Sequence, residues 1–236
     1  MLDVQIAPYP ALRRLLERHP RVASVSESGG APLRWVQDGH WHRRIWVGRS
    51  DIELKGLVEL MDNNPLVCAD EMSVPSAAGT LALIALGPLA RAGLILEPPT
   101  CQLSFEAAEG EVDDWLTTTG WKGGVTLSTS PLDTGEVVSS VTIAAIASPP
   151  AWSDIDDLYG EAFGRSFNVR RNEGSEWDTH IVAGTAHAAY RLRLTPGDEQ
   201  SLVTIQVMAD REGKCGAAQI VHAFNVTAGF EESLGL

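Results

Sequence analysis

Residues 76–92 constrain the fold more than any other stretch. From Ser76 the chain reads Ala-Ala-Gly-Thr-Leu-Ala-Leu-Ile-Ala-Leu-Gly-Pro-Leu-Ala-Arg-Ala, apolar or small at nearly every position. Pro75 stands before this run and Gly93 after it, the usual asymmetry of a helix start and stop. A helix that is apolar all round must be covered on every side, so the rest of the chain has to supply layers around it. Its longest apolar stretch, Leu81 to Ala90, is too short to span a bilayer. With 236 residues, 44% of them apolar, the chain can build such a core without disulfide or metal staples.

The flanking pattern supplies those layers. Val4–Ala7, Arg21–Val25, Arg34–Val36, Arg43–Val47, Leu66–Ala69, Leu103–Phe105, Val125–Leu127, Val137–Ala147 and Phe167–Arg171 read as strands. Ala188–Leu194 and Leu202–Ala209 alternate apolar and polar residues around Pro196-Gly197-Asp198, which predicts a hairpin. Helices are expected at Pro10–Arg18, at Asp51–Met61 with Ser50 as cap, at Ser153–Phe163 with Ser153 as cap, and at Gly216–Gly229. A βαβ-like start followed by many strands and returning helices predicts an α+β fold, a mixed sheet covered by helices.

Charge narrows the partners. Acidic residues number 31 against 18 basic ones, a net −13. That balance argues against nucleic acid or an anionic membrane as partner. Cys68, Cys101 and Cys215 are odd in number and widely spaced, without a CxxC pair, so neither a disulfide framework nor a thiolate zinc site is expected. No signal peptide is read in Met1-Leu2-Asp3-Val4, and a reducing, cytoplasmic setting is the expectation. His40 and His42 share the parity of one strand face, a pairing that can ligate a metal, but no third ligand is in view and no metal site is assigned. Trp35, Trp41 and Trp46 surround them, as sheet packing or as an aromatic pocket.

A resemblance enters through the C-terminal third. Asp210-Arg-Glu-Gly-Lys-Cys-Gly-Ala-Ala-Gln219, then Ile-Val-His-Ala-Phe-Asn225 and the ending Glu-Glu-Ser-Leu-Gly-Leu236 resemble the closing signature of the N-acetyl-gamma-glutamyl-phosphate reductases, within the semialdehyde dehydrogenases. Upstream, Phe167-Asn-Val-Arg170, Asp178-Thr179-His180 and Val182-Ala-Gly-Thr185 are similar to that family's substrate domain. The resemblance covers residues 123–236 and extends more loosely to 65–96. It implies a truncated nucleotide-binding remnant at 1–72, a substrate and dimerisation domain at 73–236, and a homodimer formed through the second domain's sheet.

Three requirements of that family's chemistry are missing. A dinucleotide needs glycines between the first strand and helix, where the backbone approaches the pyrophosphate. Here Val4-Gln-Ile-Ala7 runs straight into Pro8-Tyr9-Pro10, so no NAD(P) and no other cofactor is expected. The family's nucleophilic cysteine aligns with Ser73, a weak nucleophile without a base and otherwise a helix cap. Cys68, five residues upstream, reads as a buried structural thiol, or as a substitute for the lost thiol if the loop refolds. The family's acid–base histidine has no counterpart in 97–122.

What remains for chemistry is Ser73, His187 and His222 as candidate catalytic residues, with Arg170, Lys214 and Gln219 as candidate substrate contacts. The resemblance places Lys214 and Gln219 beside the active-site cleft, Lys214 as an anion ligand or else a plain surface lysine. Arg170 pairs with a substrate carboxylate or with Glu161 or Glu173. Ala183 and Ala186 stand where the family has polar groups. The leading expectation is a repurposed protein doing non-redox chemistry (cyclisation, isomerisation or elimination) on a small acidic, amino-acid-derived or carrier-bound metabolite. The alternatives are a non-catalytic dimerising scaffold or partner of a full-length reductase, and an atypical NADP-dependent reductase. A cleft lined by Lys214, Gln219, His187 and His222 would favour the first; the same groups dispersed or plugged would favour the scaffold.

Overall fold

The computed structural model describes residues 1–132, 135–147 and 152–236. Two mixed sheets organise them, with six α-helices among the described residues. The fold is α+β, as the pattern of elements predicts.

The first sheet has the order β2-β1-β3-β4-β5, from β1 (Leu2–Ile6), β2 (Val22–Glu27), β3 (Leu33–Gln37), β4 (Trp41–Val47) and β5 (Glu71–Val74). Helix α1 (Pro10–Arg18) makes the crossover between the parallel pair β1 and β2. Strands β3 and β4 form an antiparallel hairpin beside β1. Alternation along each strand selects one face for burial: Val4, Ile6, Leu33, Trp35, Ile45, Met72 and Val74 pack with α1 and with the last helix, α6 (Ala217–Ala228). This cluster therefore draws on both ends of the sequence. The opposite face, carrying Asp3, Gln5, Val36, His42 and Arg44, is exposed.

The second sheet has the order β7-β6-β8-β11-β10-β9, from β6 (Thr100–Leu103), β7 (Thr126–Thr129), β8 (Val137–Ala147), β9 (Val169–Arg171), β10 (Ala188–Thr195) and β11 (Gln200–Asp210). The long strands β8 and β11 pair in unbroken register from Val137↔Asp210 to Ala147↔Gln200. The buried helix is α3 (Ala77–Arg91), and Leu81 through Leu86 are all fully buried. It packs on β8 and β11, and against α4 (Glu111–Leu116) and α5 (Trp152–Phe163). Gly79 is needed at its contact with α4: a Cβ there would lie 2.4 Å from Cδ1 of the buried Trp115. No helix among the described residues is long and apolar enough to cross a membrane.

Several local expectations are corrected. No α-helix forms over Asp51–Met61; only a 3₁₀ turn, Val58–Leu60, is present. The backbone pairs with β5 instead, Leu54 carbonyl accepting from Ser73 N–H and Gly56 N–H donating to Ser73 carbonyl. Ser50 is accordingly no cap, and its hydroxyl donates to Asp114. The expected strand at Leu66–Ala69 is occupied by helix α2 (Asn63–Cys68). The buried Arg43 guanidinium donates to the carbonyls of Leu66, 2.9 Å, and Ala69, 2.8 Å, at the end of that helix. A polar partner for those end carbonyls makes the short helix tenable. Cys68 is exposed there, not buried. Ser153 lies inside α5, which starts at Trp152, and not ahead of it.

Candidate functional site

The turn between β11 and α6 is built by one carboxylate. Asp210 Oδ1 accepts from the N–H groups of Glu212, 2.9 Å, and Gly213, 3.0 Å, while Oδ2 accepts from Gly184 N–H at 2.7 Å. This fixed turn drives Lys214 inward. Its ammonium donates to Glu59 Oε1 at 2.5 Å, with the two side chains only 1% and 3% exposed. His222 comes from α6, its Nδ1 lying 3.5 Å from the Lys214 Nζ and 3.7 Å from the Glu59 carboxylate. On its other side His222 Nε2 stands 3.4 Å from Glu232.

These contacts set the charge states. Burial pushes the Glu59 carboxyl up, but the charges of Lys214 and His222 outweigh it and hold Glu59 below the usual carboxylate range. The His222 hydrogen bond likewise lowers Glu232. The Glu59–Lys214 pair at its centre is shut away from solvent, while Glu232 stands at its edge, 46% exposed. Glu59 Oε2 is buried without a partner.

The remaining candidates are distributed around this network. Gln219 is spoken for at both ends: Nε2 donates to the Pro75 carbonyl at 2.8 Å and Oε1 accepts from the Thr80 hydroxyl at 3.2 Å. It ties the start of α6 to the start of α3. Ser73 lies in β5, fully buried, where its Oγ accepts from Arg49 N–H at 3.0 Å. The cap of α3 is Ser76, whose Oγ accepts from Gly79 N–H at 3.3 Å, so the capping role expected of Ser73 is corrected. His187 is half-buried just ahead of β10, outside the Lys214–His222 network, and burial and then the charge of Arg170 lower its affinity for a proton. Arg170 is exposed and donates to its neighbour's carbonyl, Phe167, at 3.1 Å. Its expected ion-pairing role falls to the next residue: Arg171 meets Asp156 and, at 3.6 Å, Glu173.

Two of the three thiols are buried and one, Cys68, is exposed. Burial pushes the Cys215 thiol up to about 12 and raises Cys101 as well, which keeps both protonated and unreactive. The turn between β1 and α1 holds no glycine. Tyr9, at the N-cap of α1, donates its hydroxyl to Glu212, and burial followed by that carboxylate raises the phenol. A Cβ at Gly216 would lie 2.8 Å from the Tyr9 hydroxyl, so the contact is close. A pyrophosphate here would meet proline and tyrosine in place of glycine N–H groups, and the Glu212 carboxylate beside them. These residues do not fit a dinucleotide.

No protein-family model and no curated protein matches the sequence. Among solved structures, the crystal structure of aspartate semialdehyde dehydrogenase II from Vibrio cholerae superposes with a TM-score of 0.67 at 12% identity, over 96% of this chain and 98% of that one. The chain has a semialdehyde dehydrogenase-like fold. At that identity the likeness concerns architecture alone.

Within this fold, sequence reasoning brought Lys214, Gln219 and His222 to one end of α6, where they stand. It missed Glu59 and Glu232. A lone glutamate in the apolar run Gly-Leu-Val-Glu-Leu-Met was the available signal for the first. The histidine pair is corrected: His40 sits in the β3–β4 turn with Nδ1 2.8 Å from the Asp38 carbonyl, and only His42 is on a strand. Among the described residues no grouping of histidine, cysteine, aspartate or glutamate can hold a metal.

Proposed function

We propose that this chain is a non-catalytic, homodimeric protein that keeps the semialdehyde dehydrogenase fold without its reductase chemistry. The observation carrying this reading is the Glu59–Lys214 pair. Lys214 is the residue the resemblance assigns to an anionic substrate, and an internal carboxylate already occupies its ammonium. Gln219, its companion in that assignment, has both amide atoms engaged inside the core. Releasing Lys214 for a substrate would leave Glu59 buried with only His222 beside it, at a cost of about 3–5 kcal/mol taken from the ligand's binding energy.

The dimer reading has its own support. On β8 and β11 the face turned away from α3 exposes Val141, Ile143 and Leu202 near the middle of the second sheet. Thr100, Gln102 and Arg193 on neighbouring strands provide a polar border. Exposed apolar side chains ringed by polar ones are the anatomy of a protein interface.

The repurposed-enzyme reading needs the same cleft open, with a small acidic metabolite on Lys214; the reductase reading needs a nucleotide at α1. Native mass spectrometry with NADPH, NADH and an N-acetylglutamate-type compound separates the three. A dimer that retains none of them is expected. Retention of the acidic compound, lost in Lys214→Met, would replace the scaffold by the repurposed enzyme, and retention of a nucleotide would restore the reductase.

A further inference from the structure

The exposed face of the first sheet carries a row of paired side chains that crosses all five strands. Register places Ser26 beside Gln5, Gln5 beside Arg34, Arg34 beside Arg44, and Arg44 beside Glu71. At the centre of the row two arginines lie directly opposite each other on β3 and β4. Like charges in directly opposed positions repel and destabilise a hairpin. His42, two residues from Arg44 on the same face, adds a third nitrogen donor.

Little on the chain answers this charge. Arg44 has only a loose, solvent-exposed contact with Glu71, at 3.8 Å. Glu71 already accepts from the Trp46 indole at 3.0 Å. Arg34 has no acceptor among the described residues, and its Nε is shielded from solvent with no partner. Another carboxylate on this face, Asp3, accepts from the Ser24 hydroxyl at 2.5 Å. Arg43 also borders the concavity, but its guanidinium is spent on backbone carbonyls. The arginines line a concavity of about 800 Å³, with Gln5, Ser26, His42 and Trp46 around them and the Asp3 carboxylate also in its lining. That volume falls within the range of small-molecule sites. All this occurs on a chain of net charge −13, so the cationic surface is local and opposed to the global field.

We propose that this face binds a small phosphate monoester, with the phosphate bridging Arg34 and Arg44 and accepting also from His42. A dianionic phosphate has three terminal oxygens, enough acceptors for two guanidiniums and an imidazole, and its two negative charges balance the opposed pair. A single carboxylate saturates one guanidinium fork and leaves the other uncompensated. The site lies on the β3–β4 hairpin and is independent of the assembly reading above.

The test uses inorganic phosphate at constant ionic strength, read by ³¹P line broadening and by thermal unfolding, on the native chain and on Arg34→Gln and Arg44→Gln. Saturable broadening and a phosphate-dependent rise in Tm are expected for the native chain. Each variant should weaken binding by about tenfold or more. Each should also unfold, without phosphate, at a temperature equal to or above the native one, because a repulsion has been removed. Arg165→Gln, exposed just after α5 and off this face, should bind as the native chain does. Unsaturable broadening, undiminished binding by both variants, displacement of phosphate by equimolar succinate, or a lower phosphate-free Tm in both variants would each overturn the proposal.

Discussion

Lys214 and Glu59 lie 155 positions apart in sequence and 2.5 Å apart in space, an ion pair shut inside the protein. A residue that resembles a substrate ligand is thereby turned into a structural tie between the segment before α2 and the turn before α6. Removing one partner should expose the cost of the other. Glu59→Gln leaves an unpaired buried ammonium and is expected to destabilise by about 3–5 kcal/mol in urea unfolding. The double variant Glu59→Leu, Lys214→Met should recover most of that loss. If the single variant is neutral, the pair is not a buried tie.

Acid should loosen the same network. Glu59 and Glu232 titrate below their ordinary range in the folded protein. A carboxyl lowered on folding adds stability above its unfolded pKa, and that contribution disappears as pH falls through the folded value. Stability is therefore expected to fall from about pH 5 downward. Glu59 dominates, since Glu232 is nearly half exposed and its share is screened. In Tm measured against pH, Glu59→Gln should show a flatter acid limb than the native chain; identical slopes would refute the assignment.

Gly79 is expected to tolerate nothing larger. Its missing Cβ faces the ring of Trp115, which is 1% exposed and has no room to retreat. Gly79→Ala should cost about 1–3 kcal/mol despite alanine's better helix propensity, because overpacking outweighs about 1 kcal/mol of propensity. A gain in Tm would mean that α3 and α4 slide apart freely.

Arg43 donates to three backbone carbonyls, those of Leu66, Ala69 and Thr227, and stacks 4.1 Å from the Trp41 ring centroid. A lysine has a single ammonium in place of the planar fork. Arg43→Lys should lose at least about 2 kcal/mol, with faster hydrogen exchange in α2. Unchanged exchange there would show that the α2 end does not depend on this guanidinium.

Thiol reactivity separates the cysteines without any mutation. Cys68 is exposed, whereas Cys101 and Cys215 are buried and their thiols raised. Iodoacetamide should modify one thiol of the native chain, Cys68, and all three after denaturation. Fast native labelling of Cys215 would reveal an opening beside Lys214.

Much of the framework was legible in the chain. The apolar run of α3, the strand Val137–Ala147, the 188–209 hairpin and α1 each carry a periodicity tied to one packing environment, so local pattern and tertiary demand coincide. The region from Ser50 to Val74 was misread for the opposite reason. Leu54, Leu57, Val58 and Met61 have helix-like spacing, yet Leu57 is buried in one cluster and Val58 in the other. An element that serves two cores cannot keep a single apolar face.

The site divides in the same way. The chain alone shows that no glycine stands between the first strand and α1 and that Lys214, Gln219 and His222 lie close together near α6, because each follows from residue identity and short spacing. That Lys214 is closed off by Glu59, that His187 stands apart, and that Arg34 faces Arg44 with only the loose Glu71 contact on Arg44 to answer the two charges emerges when distant segments meet. Burial, charge pairing and strand register are relations between distant segments, and they acquire a sign and a magnitude only when the chain has closed on itself.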